Sequence, residues 1–338
     1  MGNWLCGLLF FFLLASKLVG QDMQFSQFYA SPLYINPGFT GSTVEHRFIM
    51  NYRHQWPNVP GAFQSYHASY DYNAEAINSG FGLIMNREES GSFGLTTNLV
   101  ALSYAYRIQL NRKTFLQPGM KFAYAFRSVD FNKLVFNDQL EQDASLTADE
   151  NAFLNEVISY PDISSGVLLY SENYWAGASV NHWNEPNQSL ESGSTVSELP
   201  MKISVHGGFK FNLSGSVIKR LDAQDITTAI HYKSQGSYDQ IDLGLYYNHA
   251  PFVFGAWYRG IQGFKSYDAG YNNNDAIIAL VGFKIPERNF SIGYSYDITI
   301  SRLVSNSGGA HEISIIYETA SKKSRRRNAR FLVPCAKF

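Results

Sequence analysis

The residues that could carry out catalysis in this chain do not form a recognisable motif. The eight histidines and two cysteines show neither HExxH nor paired CxxC spacing, and no GxSxG elbow or phosphate-binding loop occurs. His67 and His206 stand on the polar faces of alternating segments, where wall residues are much more common than metal ligands. We therefore predict that the protein is not an enzyme and has no catalytic, cofactor-binding or metal-binding residues.

Two clusters offer oxygen ligands without the spacing of a known calcium site. Residues 272–275 have the sequence Asn-Asn-Asn-Asp, but they match no EF-hand loop and a predicted strand follows at once. Asp138, Glu141 and Asp143 form an acidic cluster in a polar connection. We interpret both clusters as solvated loops.

Charged residues recur on one face of the alternating segments and indicate a polar interior. Inside a barrel they would either line a pore or pair across a closed lumen. We favour pairing, in which case the transport of small solutes is not the function. The set comprises Arg53, Asp71, Arg107, Lys121, Arg127, Lys202, Lys210 and Asp297.

The elements that would position these charges are strands with a strict period of two. Residues 100–109, 121–127, 202–211 and 291–298 place bulky apolar side chains on one face and small or charged ones on the other. Aromatic residues make up 15% of the chain, whereas charged residues make up 16%, compared with about 25% in soluble domains. This pattern favours a lipid-facing exterior around a polar lumen over a soluble exported β-protein. The formal net charge of -1 gives no sign of nucleic-acid binding.

The sequence predicts an all-β fold, a single-chain antiparallel transmembrane β-barrel of about 14 strands, within a range of 12–16. Long and short connections alternate, as they do in outer-membrane barrels whose two termini are periplasmic. The predicted strands are 45–54, 63–73, 79–88, 96–110, 114–128, 162–171, 173–182, 202–213, 224–234, 239–248, 252–260, 275–285, 289–298 and 310–319.

Two of the long connections have distinctive sequences. Residues 129–161 contain ADENAFLNEVI, which predicts a short helix in an extracellular loop. Residues 183–201 are polar and rich in loop formers. Either connection could fold into the lumen or remain on the surface.

The N-terminus predicts export. The apolar run at residues 8–15 is too short to span a bilayer as a helix, which needs about 20 residues, and it fits the core of a secretory signal peptide. We expect cleavage after Gly20, which removes Cys6 and leaves Cys335 without an internal disulfide partner. The predicted organisation is a signal peptide at 1–20, an N-terminal periplasmic or plug segment at 21–44, the barrel at 45–319 and a basic periplasmic tail at 320–338.

Five segments, in order along the chain, resemble the PorP/SprF family of type IX secretion outer-membrane proteins of Bacteroidota. They begin with QDMQFSQFYASPLYINPGFTGS and end with VPCAKF. His54 and Ala336 depart from the residues that are common in the family, Asn and Pro. The five segments are residues 21–42, 52–71, 115–140, 161–190 and 333–338.

The resemblance implies a non-enzymatic outer-membrane component of type IX secretion. Such a protein would assist secretion or surface anchoring of cargo, including gliding adhesins, through protein–protein contacts. The implied partners are the C-terminal domain of a secreted cargo, periplasmic components that include a peptidoglycan-binding lipoprotein, and outer-membrane lipid. The WPN and SYHASYD motifs favour the adhesin-associated branch over the core machine. A porin or transporter for small solutes or hydrophobic ligands is the alternative.

Two segments are candidate interaction sites. The tail combines clustered cations with aromatic anchors, which suit an acidic periplasmic partner, although a solvated tail is equally consistent with its composition. The apolar N-terminal segment is punctuated by proline and glycine, so we expect it to tuck into the periplasmic end of the barrel or to contact a partner. The tail residues are Lys322, Lys323, Arg325, Arg326, Arg327, Arg330, Phe331 and Phe338, and the N-terminal residues are Phe25, Gln27, Phe28, Pro32, Asn36, Pro37 and Gly38.

Overall fold

A computed structural model describes most of the chain after residue 21. The predicted signal peptide, the acidic cluster at 138–143 and all but two residues of the tail lie outside the described residues. The described ranges are 22–91, 94–130, 157–191, 196–213, 224–260, 274–285, 289–300, 307–319 and 333–334.

The chain folds into strands that pair antiparallel with their neighbours in sequence. β5 continues β4 after a break at Arg107, so the barrel wall has fourteen strands. The strands are β1 (His46–Gln55), β2 (Phe63–Ala74), β3 (Ser79–Ser90), β4 (Leu95–Tyr106), β5 (Ile108–Gln109), β6 (Phe115–Ser128), β7 (Val157–Tyr170), β8 (Tyr174–Asn181), β9 (Lys202–Asn212), β10 (Gln224–Gln235), β11 (Tyr238–His249), β12 (Phe252–Gly260), β13 (Asn274–Ile285), β14 (Phe290–Thr299) and β15 (Ala310–Thr319).

Pairing of the first strand with the last closes the barrel. β1 and β15 are in register from His46 opposite Thr319 to Gln55 opposite Ala310. Closure matters in a bilayer because lipid cannot satisfy the backbone groups of an open edge. The predicted fourteen-stranded antiparallel barrel is confirmed.

The side chains alternate between lipid and lumen as predicted. On β6, Phe122, Tyr124 and Phe126 point outwards and are 43–55% exposed, whereas Ala123 and Ala125 are buried on the inside. The outer surface is apolar because every second residue of each strand faces the bilayer. No helix among the described residues is long and apolar enough to cross a membrane.

The two ends of the barrel differ in the length of their connections. We call one end the long-loop end, where the connections include 129–156, 182–201 and 261–273. We call the other the short-turn end, where hairpins such as 171–173 and 250–251 are tight.

One predicted boundary is wrong. β7 begins at Val157, five residues before its predicted start, because residues 157–161 pair with the end of β6. The last two residues of the predicted helix, Val157 and Ile158, are therefore strand, and the rest of that helix lies outside the described residues.

Asp22 to Thr43, which we call the luminal segment, lies inside the barrel. It contains three single turns, Phe28–Ala30, Pro32–Ile35 and Pro37–Phe39, in place of a regular strand. Prolines open the second and third turns, where the ring fixes φ and no backbone N–H is needed. The segment fills the interior that the wall leaves open.

Candidate functional site

The luminal segment runs through the whole length of the barrel. Asp22 contacts His182, the residue after β8, and Lys202, the first residue of β9, and both lie at the long-loop end. Nineteen residues after Asp22, the backbone N–H of Gly41 donates to Asp71 at the short-turn end, 2.8 Å away. We expect from the sequence that the segment tucks into the periplasmic end of the barrel or contacts a partner, and the structure places it in the lumen from one end of the wall to the other.

A buried carboxylate holds the part of the luminal segment that lies towards the long-loop end. Glu312 on β15 accepts from the backbone N–H of Ser26 at 2.6 Å and of Gln27 at 3.2 Å. The Ser26 hydroxyl donates to Asp297 on β14 at 2.6 Å. Two wall carboxylates therefore take up donors that would otherwise be buried without partners.

Two arginines balance these carboxylates. Arg53 contacts Asp297 at 2.8 Å and Glu312 at 3.3 Å. Arg259 joins Asp297 at 3.0 Å to Asp242 at 2.9 Å. All five side chains are at most 4% exposed. Such burial is tolerable because each charge has a partner of opposite sign.

Each of the eight charged residues predicted to face the lumen contacts a side chain of opposite charge, an amide oxygen or a backbone carbonyl. Asp71 pairs with Arg47 on the neighbouring strand at 2.8 Å. Lys121 donates to the amide oxygen of Asn181 at 3.2 Å. The others contact groups of opposite charge or neutral polar groups: Arg53 with Asp297 and Glu312, Arg107 with Asn73 and the Gly41 carbonyl, Arg127 with Gln188, Lys202 with Asp22, Lys210 with Asp225, and Asp297 with Arg53 and Arg259.

Aromatic packing anchors the first turn of the luminal segment. The ring of Phe28 lies 4.9 Å from that of Trp257, and the ring of Tyr29 meets Trp175 edge-on at 5.3 Å. Both tryptophans are 2% exposed. Edge-on aromatic pairs add about 0.5–1.5 kcal/mol beyond the area they bury, so this contact fixes the segment against the wall.

Glycines in the wall make room for the second half of the segment. A Cβ atom on Gly119 would lie 2.5 Å from the carbonyl oxygen of Pro37, and one on Gly166 would lie 2.1 Å from Oδ1 of Asn36. The two glycines face each other across β6 and β7. The Asn36 amide fills this groove and donates to the carbonyl of Val167 at 3.0 Å.

Four side chains at the long-loop end form what we call the mouth cluster: Asp22, Asp162, His182 and Lys202. The His182 Nε2 atom lies 2.9 Å from Asp22, and its Nδ1 atom lies 3.0 Å from Asp162. Lys202 also donates to Asp22. The cluster ties the start of the luminal segment to β7, β9 and the residue after β8.

The charges of the mouth cluster stabilise one another. Burial alone would raise the pKa of Asp22, but His182 and Lys202 hold it well below the ordinary 3.8. Burial alone would lower the pKa of His182, but Asp22 and Asp162 raise it above the ordinary 6.5. Both shifts favour the paired, charged forms.

A cavity of about 500 Å³ adjoins the mouth cluster. Its lining combines Lys121 and Arg127 with the aromatic Trp56 and Tyr160. The connection between β8 and β9 contributes Leu199, which is 8% exposed. Part of the polar segment predicted at 183–201 therefore folds inwards.

Two residues of the C-terminal tail, Val333 and Pro334, are described, and both are buried in the barrel. Val333 is 2% exposed and joins the apolar cluster that contains Tyr246 and Trp257. The tail residues predicted to bind partners, Lys322 to Arg330, Phe331 and Phe338, lie outside the described residues.

The predicted N-terminal residues lie together in the lumen, and each is buried. Of the wall residues that receive them, the sequence singles out His206, which lies 3.1 Å from the Asn36 amide, but it does not single out most of the others. Glycines at inward positions of strands were a usable signal, since glycine inside a strand often marks a close approach. The predicted residues are Phe25, Gln27, Phe28, Pro32, Asn36, Pro37 and Gly38, and the missed ones include Asp22, Gly119, Gly166, His182, Asp242, Arg259 and Glu312.

A match to a known family covers the barrel and the luminal segment. Residues 18–317 match the family described as type IX secretion system membrane protein PorP/SprF. The chain belongs to this family. The PorP/SprF chain is thus a type IX secretion membrane protein with an outer-membrane barrel fold, as the resemblance of its five segments predicted.

Solved structures that are similar to this PorP/SprF chain include outer-membrane channels and porins. The "CymD monoaromatic hydrocarbon channel" has a TM-score of 0.49 and 12% identity, over 86% of this chain and 93% of its own. The "P. putida toluene transporter TodX" has a TM-score of 0.47 and 11% identity, over 85% of this chain and 93% of its own. The Acinetobacter baumannii outer membrane protein Omp33 has a TM-score of 0.43 and 7% identity, over 82% of this chain and 99% of its own. No curated protein sequence matches the chain.

Proposed function

We propose that this protein is a non-enzymatic outer-membrane component of type IX secretion, which assists the secretion or surface anchoring of cargo through protein–protein contacts. The observation that carries the proposal, beyond family membership, is the occupied lumen. Residues 25–43 are buried throughout except for a half-buried Tyr34. A barrel filled by its own chain is better suited to holding partners than to passing solutes.

The connections at the long-loop end face the cell exterior in this proposal, and the short turns face the periplasm. A cargo C-terminal domain would meet the long-loop end, and periplasmic components, including a peptidoglycan-binding lipoprotein, would meet the short-turn end. The basic tail at 322–330 follows β15 at the short-turn end. Its clustered cations would attract an acidic periplasmic surface.

The experiment is an affinity pull-down of the tagged full chain, in mild detergent, from its native envelope, with the bound proteins identified by mass spectrometry. Recovery of a large surface protein through its C-terminal domain supports a cargo-dedicated role. Recovery of periplasmic machine components without cargo supports a core role. If neither is recovered, the proposal fails.

Conductance in planar bilayers separates this proposal from the porin alternative. The full chain is expected to be electrically silent because its own residues occupy the lumen. A steady conductance that is selective for a solute would favour the transporter.

A further inference from the structure

The side chain of Asp22 lies in a cradle that binds its carboxylate from several directions. The Nε2 atom of His182 is 2.9 Å from Oδ2, and the Lys202 ammonium donates to the same oxygen. The Gln235 amide donates to Oδ1 at 3.3 Å. Charge-assisted hydrogen bonds of this kind bind carboxylates well, so the cradle would recognise a carboxylate on another molecule equally well.

The cradle belongs to the wall, whereas Asp22 belongs to the loosest part of the luminal segment. Asp22, Met23 and Gln24 are each half-buried, whereas the next six residues are fully buried. Before Ser26, the backbone contacts are those of the Asp22 N–H with the Gln235 amide oxygen, at 3.3 Å, and of the Met23 carbonyl with the Tyr34 hydroxyl of the same segment. Contacts of the backbone with a wall carboxylate begin at Ser26, with Glu312. The carboxylate could therefore leave the cradle while the rest of the segment stays in place.

The cavity of about 500 Å³ gives access to the cradle, since Asp22, His182 and Lys202 all line it. Two buried donors in its lining, the Arg127 Nε and the Asn181 Nδ2 atoms, have no hydrogen-bond partner among the residues that the structure describes. Buried donors are normally satisfied, so such a pair marks a place for an acceptor. An acidic group entering from the long-loop end would meet both on its way to the cradle.

We propose that the mouth cluster is a carboxylate-binding site that the chain's own Asp22 occupies, and from which an acidic group arriving at the long-loop end displaces it. Displacement frees residues 22–24 and leaves Ser26 to Thr43 in the lumen. The exchange is a competition, because a flexibly tethered carboxylate is present at an effective concentration on the order of millimolar. An incoming group must therefore bind in excess or gain further contacts in the cavity.

The first test is rescue of an emptied cradle. Asp22→Ala removes the carboxylate and is expected to lower the melting temperature of the purified barrel. Sodium acetate should restore at least half of that loss, whereas sodium chloride of equal ionic strength and neutral acetamide should not. Asp22→Asn fills the cradle without a charge, and Glu172→Ala removes an exposed carboxylate in a turn at the other end, so neither should respond to acetate. An equal effect of acetate and chloride on Asp22→Ala would overturn the proposal.

The second test uses the intact cradle and does not require Asp22→Ala to fold. In a Cys335→Ser background, Gln24→Cys places a thiol on one of the displaced residues. Acetate at about 0.5 M, far above the millimolar effective concentration of a tethered group, should speed its reaction with a bulky maleimide severalfold over chloride. Thr40→Cys, deep in the lumen and fully buried, should show no difference. Equal rates in acetate and chloride at residue 24 would contradict the exchange.

Discussion

Pro37 and Gly119 are in contact through the backbone, and a Cβ atom on Gly119 would stand 2.5 Å from the Pro37 carbonyl oxygen. Real Cβ atoms do not approach backbone oxygen so closely, and neither partner is a flexible side chain. The contact shows that the wall and the luminal segment are fitted to each other. It also makes a single methyl group a sensitive probe of that fit.

Gly119→Ala should destabilise the protein by about 1–3 kcal/mol, because overpacking a close contact forces the backbone to shift. The measurement is the temperature at which the folded band converts to the unfolded band in gel electrophoresis. Met120→Ala is the matched control, since Met120 points outwards and is 46% exposed. Equal stability of Gly119→Ala and the unaltered protein would show that the luminal segment is not packed there.

Glu312→Gln should lower the free energy of unfolding by about 3 kcal/mol, because it removes one of the two carboxylates that pair with the buried Arg53. The loss is expected at the segment as well, since the backbone N–H groups of Ser26 and Gln27 then donate to a neutral amide. Thermal unfolding measures the first effect, and hydrogen exchange at residues 26 and 27 measures the second.

Glu89→Gln provides the comparison for that variant. Glu89 pairs with Arg87 on the barrel rim, where both side chains are more than a third exposed. A surface pair of this kind contributes less than about 1 kcal/mol. If both variants lose the same stability, the buried cluster does not hold the luminal segment.

The sequence predicted the wall far better than it predicted the interior. A period of two fixes which side of a strand faces lipid, so Phe122 and Ala123 could be assigned without a structure. The partner of Ser26 could not, because Glu312 is 286 residues away and no local rule links them. The start of β7 was missed for a related reason, since Val157 becomes strand only by pairing with Ser128.

The path of the luminal segment was also beyond local rules. Its prolines and glycines predicted that it is irregular, and its apolar residues predicted that it is buried. Its direction depends on where Asp22 finds partners of opposite charge. His182 and Lys202 are distant in sequence from Asp22, and an isolated histidine in a strand pattern usually has no such role.

The interaction of Asp22 with the mouth cluster should weaken as the pH rises above about 6.5. The pKa of His182 is raised above the ordinary 6.5, so its contribution is complete below 6.5 and is lost as the pH rises through the folded value. The pKa of Asp22 is held well below 3.8, so its contribution is present above 3.8 and is lost only in strong acid. Thiol reactivity of Gln24→Cys in the Cys335→Ser background, corrected for the ionisation of a free thiol, should therefore be lowest between these values.

His182→Gln is the control for this pH dependence. Glutamine keeps a polar side chain next to Asp22 but does not titrate. The corrected reactivity at residue 24 should then change much less between pH 5 and about 8 than it does with His182 present, and it should be higher at the acid end. A pH profile that survives in His182→Gln would assign the titration to another group.

Val333→Asp should release the C-terminal tail from the barrel. Val333 packs in the apolar cluster with Tyr246 and Trp257, and burying an unpaired carboxylate there is unfavourable. The readout is the rate of trypsin cleavage in the basic stretch at 322–330, which should rise severalfold. Val196→Asp, at an exposed position on the long-loop side, should leave that rate unchanged. If Val333→Asp also leaves it unchanged, the buried valine does not hold the tail.

Deletion of residues 22–43, with the signal peptide retained, should turn a silent barrel into a conducting one. Barrels of eight strands are filled by their own side chains, whereas those of sixteen or more enclose a channel. A barrel of fourteen strands lies between these limits and needs additional chain to close it. Planar-bilayer recordings of both proteins decide the matter, after heat-shifted gel mobility shows that each is folded. Conductance that is the same in both would mean that the luminal segment does not obstruct the lumen. If the deletion variant does not fold, silence of the full chain still bears out the occupied lumen, and a stable open pore in the full chain refutes it.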